Sequence, residues 1–260
     1  IESMENVLKQ KFSNGQKTIG AFVESCSALI VECLGRTGLD YVILDNEHSP
    51  VEAETSMEMI RAAELFGMTP IVRVRETSRP AIMKVLDVGA QGIIIPNVHS
   101  VAQVDEIVSY AKYQPIGKRG FAASRKDGWG FDAPDGVAAK MAYFNENTLV
   151  IPQCETCGAL DAVEQIAAHP GVDGIFTGPY DLSIAMGMPG EFDRPEFQAA
   201  LDRIVTACHE NHKFCIIYAG VIENAAASFK RGYDSVAYNV DTAILIEAYR
   251  DRVAQLRSMI

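Results

Sequence analysis

The chain has 260 residues, 48% of them hydrophobic and 22% charged, which is ordinary globular composition with material for a large core. No apolar run approaches the roughly 20 residues needed to span a bilayer, and the opening segment, IESMENVLKQKF, has no apolar signal-peptide core, so a cytoplasmic location is expected. The formal net charge of −11 argues against a nucleic-acid partner, because phosphate binding needs a basic surface.

Residues 4–14 read as a short lead-in helix. Lys17 to Val23 is the first strand, followed by an apolar-periodic helix over 27–37. Tyr41 to Asp45, within YVILDNEHSP, is rich in β-branched and aromatic residues, the mark of a buried parallel strand, and a helix over 51–66 follows. The third strand is Pro70 to Val74 with a helix over 79–87, and the fourth is Gln91 to Pro96 with a helix over 100–112. Residues 113–133 then break the rhythm with four glycines, four basic residues and the single tryptophan. A loop this long inside a compact domain is usually functional. After a helix near 134–147 come strands at Thr148–Gln153, Gly174–Thr177, Lys213–Tyr218 and Ser235–Tyr238, with helices over 158–168, 195–211, 221–231 and 241–257.

Eight strand–helix units without a long polar linker predict one α/β domain over residues 1–260, a (β/α)8 TIM barrel. A doubly wound sheet is the alternative, but no G-x-G-x-x-G follows a strand and no GxxxxGK[ST] occurs. Six scattered cysteines read as reduced thiols. The pair Cys154 and Cys157 forms a CxxC, but it ends an apolar strand instead of opening a redox helix.

A barrel gathers the polar residues at the carboxyl ends of its strands at one mouth. Here these are Asp45, Glu47 and His48, Arg73 and Arg75 (on one face by the two-residue period), Gln153, Glu155 and Asp181. Glu155 and Asp181 come from successive strands, where two carboxylates repel unless one is protonated or a cation sits between them. Equally, they read as a surface glutamate and a helix-capping aspartate in GPYDLS. Arg73, inside an apolar strand, needs an anionic partner: either a 2-oxo acid and its enolate or a structural pairing with Asp45 or Glu47. His48 lies in an acidic cluster, where a carboxylate can fix its tautomer for proton transfer, whereas His99, His169, His209 and His212 lack comparable sequence neighbours.

The segments LDNEHSP (44–50), PIVRV (70–74), KVLDVGAQGIIIPNV (84–98), YQPIGKRG (113–120), PQCET (152–156) and GPYDLS (178–183) stand in the order and spacing of one family. Across nearly its whole length the chain resembles the HpcH/HpaI aldolases, metal-dependent class II pyruvate aldolases. The resemblance implies a pyruvate-binding barrel with its eighth helix exchanged between subunits, commonly in a homohexamer built as a trimer of dimers. It implies that Glu155 and Asp181 ligate a divalent metal (Mg²⁺, Mn²⁺ or Co²⁺). Gln153, Gly178 and Pro179 would line bound pyruvate, and Arg73 would bind the keto oxygen. His48 would be the acid/base, Asp87 its paired aspartate, and Asp45 a further active-site carboxylate. The reaction implied is retro-aldol cleavage of a 4-hydroxy-2-oxo acid to pyruvate and an aldehyde through a metal-stabilised enolate.

The chain departs from the family pattern at Asn46, at Tyr180 and at Ile216–Ile217–Tyr218, which leaves the catalytic set whole and bears on the aldehyde pocket. The rivals are a related decarboxylase or lyase acting on a 2-oxo diacid, an acyl-CoA lyase, and a non-catalytic barrel that binds a 2-oxo acid. A lysine Schiff base is disfavoured because no candidate core strand ends in lysine.

Overall fold

The computed structural model describes residues 6–260. Eight parallel strands close into a barrel in sequence order: β1 Thr18–Val23, β2 Tyr41–Asp45, β3 Thr69–Arg73, β4 Gly92–Ile95, β5 Leu149–Cys154, β6 Gly174–Thr177, β7 Phe214–Ala219 and β8 Ser235–Val240. The helices are α1 Val7–Ser13, α2 Ala28–Leu34, α3 Ala53–Leu65, α4 Arg79–Asp87, α5 Val101–Ala111, α6 Val137–Asn147, α7 Cys157–Asp161, α8 Val163–Ala168, α9 Pro179–Ala185, α10 Pro195–Glu210, α11 Ile222–Arg231 and α12 Asp241–Ser258. Every expected strand is present. The single helix expected over 158–168 is instead two, broken at Ala162, and α9 starts within GPYDLS, where a helix start is one of the two readings of that segment. None of the helices among the described residues is long and apolar enough to cross a membrane.

Two apolar layers follow from the alternation of side chains along each strand. Val42, Leu44, Val72, Val150 and Ile175 face outward and pack under the helices. Tyr41, Ile43, Ile71, Ile94, Leu149, Ile151, Phe176 and Ile216 face inward and fill the barrel. The same period carried one step further aims Asp45, Arg73 and Gln153 into the interior at the carboxyl ends of their strands.

The amino-terminal end of the barrel is closed by polar groups and by α1. Leu8 enters the inner cluster, and Phe12 stacks on Phe214 with ring centroids 3.8 Å apart. Asp40, Asp173 and Asp234 each precede a strand and accept a backbone N–H from the neighbouring strand, at Ile19, Val150 and Cys215 respectively, at 2.8–3.0 Å. Strand starts here would otherwise leave donors without partners. Lysines stand beside all three: Lys11, Lys112 and Lys17.

Residues 113–133 cross this same end, not the mouth. They include the 3-10 segment Arg125–Gly130, whose Trp129 is exposed with a left-handed φ of 54°. Arg119 binds Asp87 at 2.6 Å, and Arg125 binds Glu64. With Asn6, Gln91 and Thr148 the segment borders a cavity of about 380 Å³. Within one protomer this long loop therefore serves the floor of the barrel.

Gly20 is the register partner of Tyr41, whose ring lies where a side chain at position 20 would go: a Cβ there would sit 2.2 Å from Tyr41 Cε2. Tyr41 is fully buried, and its hydroxyl is 2.8 Å from Ser235 Oγ. Gly20→Ala should therefore destabilise the barrel by about 1–3 kcal/mol, the usual cost of overpacking. Urea unfolding checks this; an unchanged midpoint would show that the inner layer is looser than described.

Candidate active site

The mouth is built on one register. Asp45 and Arg73 are Cα partners on β2 and β3, both facing inward. Arg73 Nε donates to Asp45 Oδ1 at 2.9 Å and its Nη2 to Oδ2 at 2.6 Å, a bidentate pair buried on both sides. Arg73 Nη1 lies 3.2 Å from Glu47 Oε2, and the guanidinium sits 4.8 Å over the Phe22 ring. Burial pulls the Arg73 pKa down, but Asp45, Glu47 and Glu155 outweigh it and hold it above its ordinary value.

Asp45 also organises the loop after β2. Its Oδ1 accepts the N–H groups of Glu47 at 3.0 Å and His48 at 3.4 Å, so one carboxylate fixes both the arginine and the acidic turn. Glu47 then stands between two bases, with His48 Nε2 3.7 Å from its Oε2. Burial raises the Glu47 pKa, with Asp45 and Asp181 adding to the rise and Arg73 and His48 opposing it. The His48 side chain is 61% exposed.

The opposite wall comes from β4, β5 and β6. Gln153 is buried and donates Nε2 to Glu155 Oε2, while its Oε1 is buried without a partner. Glu155 Oε1 accepts the backbone N–H of Asn97 at 2.6 Å. A Cβ at Gly178 would lie 2.7 Å from both Gln153 Nε2 and Glu155 Oε2, so only glycine leaves these side chains their places. Pro179 starts α9, and Asp181 stands exposed in its first turn, with Gly178 rather than Asp181 as the cap. Burial pushes the Glu155 carboxyl up to about 7, helped by Asp181 and Glu47 and opposed by the Asn97 N–H and Arg73. A cleft of about 130 Å³ lies between the walls, lined by Arg73, Gln153, Gly178, Pro179, Asp181, Phe22, Glu24, Tyr180 and Tyr218 among others.

Of the residues expected at the mouth, Asp45, Glu47, Arg73, Gln153, Glu155, Gly178, Pro179 and Asp181 converge, with His48 at the rim. Two do not. Arg75 lies beyond the end of β3, half-exposed and 3.4 Å from Glu52, because the strand stops at Arg73 and the alternation ends with it. Asp87 ends α4 at the amino-terminal end of the barrel. Its partners are Arg119 at 2.6 Å and Lys126 at 3.6 Å, so the carboxylate beside His48 within this protomer is Glu47.

Three contributors escaped the sequence reading. Asn97 holds a left-handed φ of 53°, which asparagine tolerates better than most residues, and this directs its N–H at Glu155. The Asn97–Val98 pair after an apolar strand was the available signal. Asp241, the first residue of α12, accepts the N–H groups of Glu24 and Ser25 and so fixes the end of β1. Glu24 itself enters the cleft, its pKa raised by burial and then by Asp45 and Asp241.

The family model described as HpcH/HpaI aldolase/citrate lyase matches residues 18–248. The chain belongs to that family. A 2-keto-3-deoxy-L-rhamnonate aldolase of Escherichia coli strain K12 is 31% identical over 257 residues, spanning 98% of this chain and 94% of the relative. Among solved structures, an HpcH/HpaI aldolase from Desulfitobacterium hafniense superposes with a TM-score of 0.89 at 26% identity, over 96% of each chain. A citrate synthase, SbnG, superposes at 0.87 with 28% identity over 97% of this chain and 98% of its own. These HpcH/HpaI relatives support a lyase of the aldolase type.

The raised Glu155 carboxyl sets a pH dependence. Its pKa in the folded chain, about 7, exceeds the ordinary 4.5, so the fold binds this proton more tightly than the unfolded chain does. The associated stability is fully present below pH 4.5 and is lost as pH rises through about 7. In chelator at pH 8, Glu155→Gln should be more stable than the parent by on the order of 1–3 kcal/mol, and the gap should close toward pH 5. Thermal unfolding at the two pH values checks this, and a gap that widens on acidification would reverse the assignment.

Proposed function

We propose that this chain is a divalent-cation-dependent pyruvate aldolase that reversibly cleaves a 4-hydroxy-2-oxo acid to pyruvate and an aldehyde. The observation carrying this reading is the pairing, across one small cleft, of a fixed guanidinium with a cradle of oxygen ligands. Gln153 Oε1 is buried without a partner, Glu155 holds its proton to about pH 7, and Gly178 keeps the space beside both clear. Two nearby carboxylates in this condition fit a hard cation, which would relieve their repulsion. Glu155 and Asp181 would hold Mg²⁺, Mn²⁺ or Co²⁺, which when bound would polarise the carboxylate and keto oxygens of the substrate as a Lewis acid.

The chain's own groups account for the remaining steps. Arg73, held by Asp45 and Glu47, cannot swing away, and its positive charge meets the oxygen on which negative charge develops as the C3–C4 bond breaks. His48 stands at the open side of the cleft, beside Glu47, and takes the proton of the 4-hydroxyl. Gln153, Gly178 and Pro179 line the cleft and would contact the bound 2-oxo acid. Tyr180 and Tyr218, ring centroids 6.1 Å apart, wall the aldehyde side together with Glu24. Tyr180 and Tyr218 replace smaller or apolar groups of the family pattern and Glu24 adds a carboxylate, so a neutral hydroxylated aldehyde fits this wall better than a carboxylated one. The E. coli relative, named for a deoxy sugar acid, favours substrates of the 2-keto-3-deoxy class.

Among the described residues no lysine lines the cleft. The buried Lys112 binds Asn145 O and Thr148 O at the other end of the barrel, which leaves Schiff-base chemistry without a nucleophile. The assembly proposed is a homo-oligomer, a hexamer built as a trimer of dimers with α12 exchanged. The exposed Leu245, Ile246, Tyr249 and Leu256 on α12 support its burial by another subunit.

Pyruvate release from a panel of 4-hydroxy-2-oxo acids should require a divalent cation and fall at least 100-fold in Glu155→Ala. Deoxy sugar acids should rank above substrates that yield a carboxylated aldehyde. Release that survives both chelator and substitution would reject the cation-dependent mechanism.

A further inference from the structure

The floor of the barrel carries a second set of ligand atoms that the aldol reaction does not use. His209 lies in the last turn of α10, Cys215 is the second residue of β7, and Asp234 immediately precedes β8. Among the described residues, these three are the set of His, Cys, Asp or Glu ligand atoms that lie within 4.8 Å of one another. His209 Nε2 is 3.1 Å from Asp234 Oδ2. Cys215 Sγ is 3.5 Å from the same oxygen and 3.8 Å from His209 Nε2.

A triangle with those edges has a circumradius of about 2.0 Å. Zinc holds imidazole nitrogen at about 2.0–2.1 Å, carboxylate oxygen at about 2.0–2.2 Å and thiolate sulfur at about 2.3 Å. A cation just off the plane of the triangle thus reaches all three atoms where they already stand. Asp40 and Asp173 occupy corresponding places before β2 and β6, make the same backbone hydrogen bond and, like Asp234, have lysine neighbours. At Asp234 the lysine, Lys17, approaches Oδ1 at 3.3 Å, as Lys11 approaches Oδ1 of Asp40, while Oδ2, which accepts the Cys215 N–H at 3.0 Å, also faces the imidazole and the thiol. The backbone device is shared, whereas the soft ligands are added only at the third position.

We propose that His209 Nε2, Cys215 Sγ and Asp234 Oδ2 form a second metal site that takes a borderline-soft dication such as Zn²⁺. The ligand set selects against the hard cations suited to the oxygen-lined mouth. Binding displaces the Cys215 thiol proton to solvent, so thiolate and carboxylate together neutralise the dication. The His209 side chain is 45% exposed, which gives the ion a path of entry and a position for water. A bound ion would clamp the end of α10 to the starts of β7 and β8, a structural role remote from the mouth.

Cobalt titration of the chelator-stripped full chain tests this, because only a thiolate ligand produces a sulfur-to-cobalt charge-transfer band in the near ultraviolet. The expected band saturates at an intensity of one thiolate-bound Co²⁺ per chain, is bleached by excess Zn²⁺, and is absent from Cys215→Ser and His209→Gln. It persists in Glu155→Gln, whose mouth offers oxygen ligands, and His209→Gln keeps pyruvate release within twofold of the parent. If Cys215→Ser does not fold, His209→Gln decides, since that imidazole is half-exposed. No band at saturating Co²⁺ would overturn the proposal. So would a band unchanged in His209→Gln or Cys215→Ser, which would assign it to exposed Cys33 or Cys157.

Discussion

The buried pair between Asp45 and Arg73 is the constraint on which the mouth depends. A guanidinium inside a barrel is tolerable only if its charge is matched and its N–H groups are used. Asp45 supplies both from the neighbouring strand, at the same register and with two hydrogen bonds. Removing one partner would leave the other charge buried alone, typically a loss of about 3–5 kcal/mol. The pair also ties chemistry to architecture. Asp45 holds the turn that carries Glu47 and His48, and Arg73 leans on Phe22 from β1. Three strands therefore converge on one cation before any substrate enters.

The mouth as a whole carries the opposite balance of charge. Glu155, Asp181, Glu47 and Glu24 give the mouth more negative than positive groups, and burial raises the pKa of Glu24, Glu47 and Glu155. That arrangement is costly in the free chain and becomes favourable once a cation is shared. The buried, unpartnered Gln153 Oε1 belongs to the same pattern.

Much of this was legible in the sequence because the barrel repeats a simple rule. Inner and outer residues alternate, strands run to their carboxyl ends, and polar residues one period past the apolar core meet at the mouth. That rule located Asp45, Arg73, Gln153 and Glu155, and the family resemblance supplied Gly178 and Pro179. It failed where a strand stopped one residue early, which sent Arg75 outward. It was silent on Asn97, whose backbone N–H, not its side chain, carries the interaction. Asp87 entered only through resemblance, and its partners Arg119 and Lys126 come from a loop whose path no periodicity describes. His209 looked isolated in the sequence because Asp234 and Cys215 reach it through strand packing, not through spacing.

In the proposed reaction a positive charge fixed by Asp45 stands where a pyruvate enolate forms. Exchange of the methyl protons of pyruvate with deuterated water, followed by NMR, tests this without any choice of aldehyde. Exchange should depend on a divalent cation and fall at least 100-fold in Arg73→Lys, since an ammonium cannot reproduce the bidentate hold on Asp45. Exchange at the parental rate in a folded Arg73→Lys would contradict it.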